Sequence, residues 1–122
     1  MDWEFEQEWH ACKRWYNERF DGDLDVDTIL FLIGVQEFGK GYLEFTKDEK
    51  MDLVHIAVCT LLEPFGFYEF EGEDEAGWPH FKRKKKLPYL KPEEQDRLMK
   101  EAIINYTRTA QRSGGSFAPQ EY

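Results

Sequence analysis

Six apolar side chains fill seven consecutive positions from Ile29 to Val35: Ile29, Leu30, Phe31, Leu32, Ile33 and Val35, with Gly34 as the single gap. Read as a helix, this run has no polar face. A helix apolar all round belongs at the centre of a small domain, with other elements wrapped about it. The run is far too short to span a bilayer. Everything else in the chain therefore has to supply the cover. Gly34 marks where one covering element comes close to the helix backbone.

The flanking segments read as that cover. Phe5, Trp9, Cys12, Tyr16 and Phe20 recur at helical spacing and predict a first helix over Trp3–Phe20. Asp2, Glu4, Glu6 and Glu8 sit in its opening turns, where carboxylates suit the helix dipole. An acidic connector, residues 21–27, leads to the central helix, expected over Thr28–Phe38 with Asp27 as N-cap. Gly39 and Gly41 end it, since glycine takes C-cap angles that other residues resist. Thr46 and Glu49 have capping-box spacing and open a third helix to about Leu62. Met51, Val54, Val58 and Leu61 form its apolar stripe, widened by Leu53, Ile56 and Ala57. Pro64 stops it, because the residue before proline avoids helical angles.

The periodicity then changes from helical to two. Phe67 to Glu71 alternates as a half-buried strand, and Trp78 to about Lys84 returns after an acidic glycine-bounded loop. A register with Phe70 opposite Phe81 sets Glu69 against Lys82 and Glu71 against His80. Such opposite-charge pairs each contribute roughly 0.2–1 kcal/mol. Pro79 belongs at the strand's start or on an open edge. Pro92 suits the first position of a last helix to about Arg108, with Met99, Ile103 and Tyr106 inward and Leu98 and Ala102 beside them. Residues 113–122, with Ser113, Gly114, Gly115, Ser116 and Pro119, read as a flexible tail. The expected fold is mainly α (α+β): a four-helix domain with one antiparallel β-hairpin between helices 3 and 4. One globular domain is expected over residues 1–112.

Charge and cysteine usage narrow the setting. The formal charge of −9 repels nucleic acid and anionic membrane. Cys12 and Cys59 are too few for a disulfide scaffold, which points to a reducing compartment. The acidic N-terminus lacks a signal peptide's basic start and apolar core, so a cytoplasmic protein is expected.

Candidate chemistry is thin. Asp21, Asp23, Asp25 and Asp27 have the alternation of a calcium loop. From either starting register, however, the turn glycine and the bidentate glutamate are missing. A solvated connector is the better reading. His10, Cys12, His55 and Cys59 form the weak metal set, two histidines and two cysteines without a Cys-x-x-Cys. His10 and Cys12, two apart on a helix, point nearly opposite ways. No serine lies outside the tail, and neither a dinucleotide fingerprint nor a phosphate-binding lysine loop occurs. The expectation is no catalytic residue, no cofactor and no enzyme. A metal- or thiol-dependent enzyme is the third reading.

The sharpest local feature is charge segregation along the hairpin. Residues 63–77 carry six acids and no base, and residues 80–91 carry six bases and no acid: Lys82, Arg83, Lys84, Lys85, Lys86 and Lys91. Cross-strand neutralisation and protection of a strand edge favour a structural role. The alternative is contact with nucleic-acid phosphates or another acidic partner, which the net charge opposes.

The order helix, helix, helix, hairpin, helix resembles a winged-helix domain, in which the third helix reads DNA and the hairpin touches its backbone. Two features depart from that pattern. The connector from Gly39 to Phe45 is long. The third helix also opens Lys47-Asp-Glu-Lys-Met-Asp52, acid-rich where base contacts belong. The stretches Phe31 to Glu37, Lys47 to Leu53 and Gly77 to His80 are similar to small uncharacterised proteins of Bacteroidota-type bacteria, a resemblance that implies a bacterial, cytoplasmic protein and brings no site. The expected function is a non-catalytic protein-interaction module, a small accessory or adaptor subunit. Its aromatic anchors would be Trp3, Trp15, Phe67, Tyr68, Phe70 and Trp78, because aromatics are enriched at interface anchors. The runner-up is a nucleic-acid-linked regulator using the basic strand. A protein partner is expected, no membrane, and a homo-oligomer stays open.

Overall fold

The computed structural model describes residues 2–39 and 44–112, and the side chains of residues 2–39 and 44–109. Its elements run α1 (Trp3–Phe20), α2 (Val26–Phe38), α3 (Lys47–Leu62), β1 (Tyr68–Glu73), β2 (Pro79–Arg83) and α4 (Pro92–Arg112). Four helices with one antiparallel hairpin between the third and fourth is the layout expected from the periodicity. The chain divides into two compact units. One holds α1 and α4; the other holds α2, α3 and the hairpin.

In the first unit, helices from the two ends of the chain pack together. Asp2 caps α1, accepting from the Phe5 amide. The inward side chains of α1 are Trp9, Cys12 and Tyr16, with Phe5 and Phe20 half-buried. From α4 come Ala102, Ile103, Ile104 and Thr107. Asp2 pairs with Arg97, Lys100 lies over the Trp9 ring, and Cys12 and Tyr16 both meet Thr107. Partners rise in number along both helices, so α1 and α4 run in the same direction. The inner face of α4 differs from expectation. Leu98, Met99 and Tyr106 are only half-buried, while Ile104 and Thr107 are buried. The helix also continues four residues past Arg108.

In the second unit, α2 begins at Val26, so Asp27 lies in its first turn rather than capping it. A Cβ added at Gly34 would overlap the Leu53 carbonyl oxygen. The close approach expected at that glycine is therefore the crossing of α2 and α3. Val35, Phe38, Leu53 and Ile56 form the core of this crossing, with Phe31, Phe45, Trp78 and Phe81 packed against it. Gly39 ends α2 with φ 75°, and Gly41 lies outside the described residues. Thr46 and Glu49 form the reciprocal capping box at the start of α3. The buried face of α3 runs through Leu53, Ile56, Ala57 and Leu61. Met51 is 63% exposed, which corrects its place on the apolar stripe. It sits two residues before Leu53, roughly 160° away around the helix.

The hairpin keeps the expected register in part. Glu69 pairs with Lys82 and Phe70 with Phe81. A bulge between Phe70 and Gly72 then sets His80 opposite Gly72, not Glu71. The extra residue is accommodated by Gly72 at φ 119°, an angle that a side chain would resist. The flexible tail expected over residues 113–122 lies outside the described residues.

Candidate functional site

The residue that organises the hairpin's end is Asp74. Its Oδ1 accepts from the Ala76 and Trp78 amides, each at 3.0 Å. Its Oδ2 accepts from His80 Nε2 at 2.9 Å. The hydrogen bond from His80, reinforced by the Trp78 amide, holds the Asp74 carboxyl below its ordinary range. A short polar side chain bonding forward to its own loop is a turn device. Here it turns the chain so that Trp78, just before β2, faces α2, where its ring stacks on Phe38 at 4.3 Å between centroids.

Between this hairpin and α3 lies a cleft of about 480 Å³. Ile56, Trp78, Pro79 and Phe81 give it apolar walls. Glu49, Asp52 and His55 line it from α3, and Asp74 and His80 from the hairpin. Glu49 and Asp52 are three apart, and Asp52, His55, Ile56 and Cys59 follow at helical intervals, so one face of α3 supplies them all. Asp52 and His55 are exposed, whereas Cys59 is buried. His55 Nε2 and Cys59 Sγ lie 3.6 Å apart. Burial pushes the Cys59 thiol up to about 11, so it is protonated at neutral pH and is a poor nucleophile. A smaller recess, about 360 Å³, lies between Phe70, Phe81, Thr60 and Glu63. Glu63 accepts from the Phe70 amide at 2.9 Å there, tying β1 to the end of α3.

The six aromatic candidates divide between the units. Of those on α1, Trp3 is 70% exposed. Trp15 is half-buried, with the Arg19 guanidinium 3.8 Å from its ring centre. In the other unit Phe67, Tyr68 and Trp78 are half-buried and Phe70 is 48% exposed. Phe70 meets Phe81 edge-on at 5.6 Å. Phe65, which had no assigned role, is exposed beside them in sequence at the turn after α3.

The basic residues Lys82, Arg83, Lys84, Lys85, Lys86 and Lys91 are all exposed. Glu69 neutralises Lys84 at 3.3 Å rather than its backbone partner Lys82. Lys85 lies over the Phe67 ring at 4.6 Å. Among the described residues no ion pair joins Lys82, Arg83, Lys86 or Lys91.

Of the metal candidates, His55 and Cys59 meet in the cleft. On α1, His10 is exposed near Glu6 and Cys12 is buried against Thr107, so these two diverge as their spacing requires. Among the described residues, no three His, Cys, Asp or Glu side chains are placed to hold one metal ion. Sequence reading missed two features: the cleft's Asp74–His80 pair, and the buried polar node on Thr107. The spacing of Asp74 before Trp78 and His80 across a glycine-bounded loop was the available signal for the first. The second joins residues more than ninety positions apart and had no local signal.

Comparison with family models, with curated proteins and with solved structures finds no significant match to this chain.

Proposed function

We propose that the chain is a non-catalytic protein-interaction module, an accessory or adaptor subunit that docks a protein partner on the hairpin and the adjoining face of α3. The observation that carries this reading is the aromatic-walled cleft, with half-exposed Trp78 and Phe81 lining it and Phe70 exposed beside it. Large aromatics half-exposed in a recess are the kind of anchor that dominates interface energetics. Such a recess fills without any positioned nucleophile, and the protonated Cys59 thiol accords with binding rather than thiol chemistry. A cytoplasmic placement is part of the reading, supported by two free, buried thiols. Among the described residues no helix is long and apolar enough to cross a membrane.

A photo-crosslinking residue placed at Phe70 tests it, with the same residue at exposed Glu93 of α4 as control. Crosslinks to a discrete protein from the Phe70 position alone are expected. Identical crosslinks from both positions, or none from Phe70, contradict the reading.

The exposure of Lys82, Arg83, Lys86 and Lys91 favours a second reading, nucleic-acid contact along β2 and the segment after it. It requires a mobility shift that strengthens as salt is lowered and weakens when these four are replaced. No shift at low ionic strength removes it.

A further inference from the structure

We infer that the α3–hairpin cleft takes an extended partner segment in which an apolar side chain is flanked by lysine or arginine. This rests on the docking reading and names the chemistry that the docked segment must have. The cleft has two layers. Its walls, Ile56, Trp78 and Phe81, are apolar and accept an apolar side chain. Glu49 and Asp52 line it on one side and Asp74 on the other, and among the described residues no lysine or arginine lines it. Asp52 is exposed and Glu49 has one carboxylate oxygen on the Thr46 amide, leaving the other available. Asp74 stays ionised through neutral pH, because His80 and two backbone amides hold its charge. Its bonds already occupy both oxygens, so it contributes field more than a direct contact. A cationic side chain entering here meets carboxylates on two elements, which favour it, while the apolar walls between them take the neighbouring apolar side chain. An acidic segment meets repulsion in the same place, and the chain's net charge of −9 adds to it.

The test is titration calorimetry of the full chain with a short capped peptide carrying a central leucine flanked by lysines. A twin with glutamate in place of every lysine is the control. The lysine peptide is expected to bind, and the twin not. Raising the salt from about 50 to about 500 mM is expected to weaken binding about tenfold or more, as screening of exposed charges requires. Asp52→Lys is expected to weaken it at least about fivefold, by reversing the charge of an exposed cleft residue whose side chain makes no ion pair among the described residues. Equal binding of the two peptides, indifference to Asp52→Lys, or no binding at low salt would overturn the inference. If the lysine peptide does not bind while Phe70 crosslinks persist, only the cationic specificity falls. If the crosslinks vanish as well, the docking reading falls with it. Sedimentation distinguishes a second copy. Concentration-dependent dimers abolished by Asp52→Lys would overturn the partner assignment, placing the exposed basic segment of another copy in the cleft.

Discussion

The two units hold together by different means. In the α1–α4 unit the buried face includes polar atoms. Thr107 is 3% exposed, and its hydroxyl donates to the Ile103 carbonyl at 2.7 Å. That leaves its lone pairs to accept from the Tyr16 hydroxyl at 2.8 Å and the Cys12 thiol at 3.6 Å. One oxygen thus satisfies two buried donors on the other helix and fixes the helices' relative register. Burial pushes both the Tyr16 hydroxyl and the Cys12 thiol up, so both stay protonated as donors. Around this node the contacts are charged and exposed: Asp2 with Arg97, Glu8 with Arg108. The α2–α3–hairpin unit relies instead on close approach and aromatic packing. Gly34 lets two backbones meet, and Phe38, Trp78 and Phe81 cover the crossing. The contrast teaches that satisfied polarity gives one unit its register, and shape gives the other its groove.

The largest expected effect breaks the shape-based unit. Gly34→Ala puts a methyl group into the Leu53 carbonyl, where backbone rather than a side chain must move. Overpacking of this kind costs about 3 kcal/mol. Amide exchange should show protection lost in α2 and α3 first. Next comes the polar node. Thr107→Val keeps the shape but removes the acceptor shared by the Tyr16 hydroxyl and the Cys12 thiol, at a cost of about 2 kcal/mol. Adding Tyr16→Phe should recover a part of that loss, because it removes one of the two buried donors that lose this acceptor. Chemical denaturation of the single and double variants checks this.

Smaller again is the α3 cap. Thr46→Ala removes one half of a reciprocal capping box and should cost about 1 kcal/mol. It should leave exchange in α1 and α4 unchanged. The smallest effect concerns pH. The folded Asp74 carboxyl lies below its ordinary value of 3.8. Its stabilising contribution is therefore complete above that value and is lost as pH falls through the lower, folded value. Amides of the hairpin loop should lose protection on acidification below about pH 4. Asp74→Asn, which keeps the acceptor for the loop amides, should flatten that dependence.

Most of the fold was legible because its signals are local. The capping box at Thr46, the stop at Pro64 and the change to period two after Phe67 each depend on neighbours within a few residues. Gly34 announced a close contact, though not its partner. Legibility failed where the decisive interaction is distant or depends on rotation about a helix. Met51 fitted an apolar stripe by spacing, but the core lies on the side of Leu53. The bulge at Glu71 shifted His80 away from its charge partner and toward Asp74. The cleft could not be read at all. It needs Asp52 and His55 on α3 to meet Asp74 and His80 on the hairpin, and no spacing in the sequence joins the two sets.

Chemical-shift mapping of the full chain with the lysine–leucine peptide tests most directly that docking belongs to the shape-based unit. Perturbations are expected at Asp52, His55 and Ile56 on α3 and from Asp74 to Phe81 on the hairpin, with α1 and α4 silent. Shifts centred on α1 and α4, or spread evenly over exposed carboxylates in both units, would contradict it.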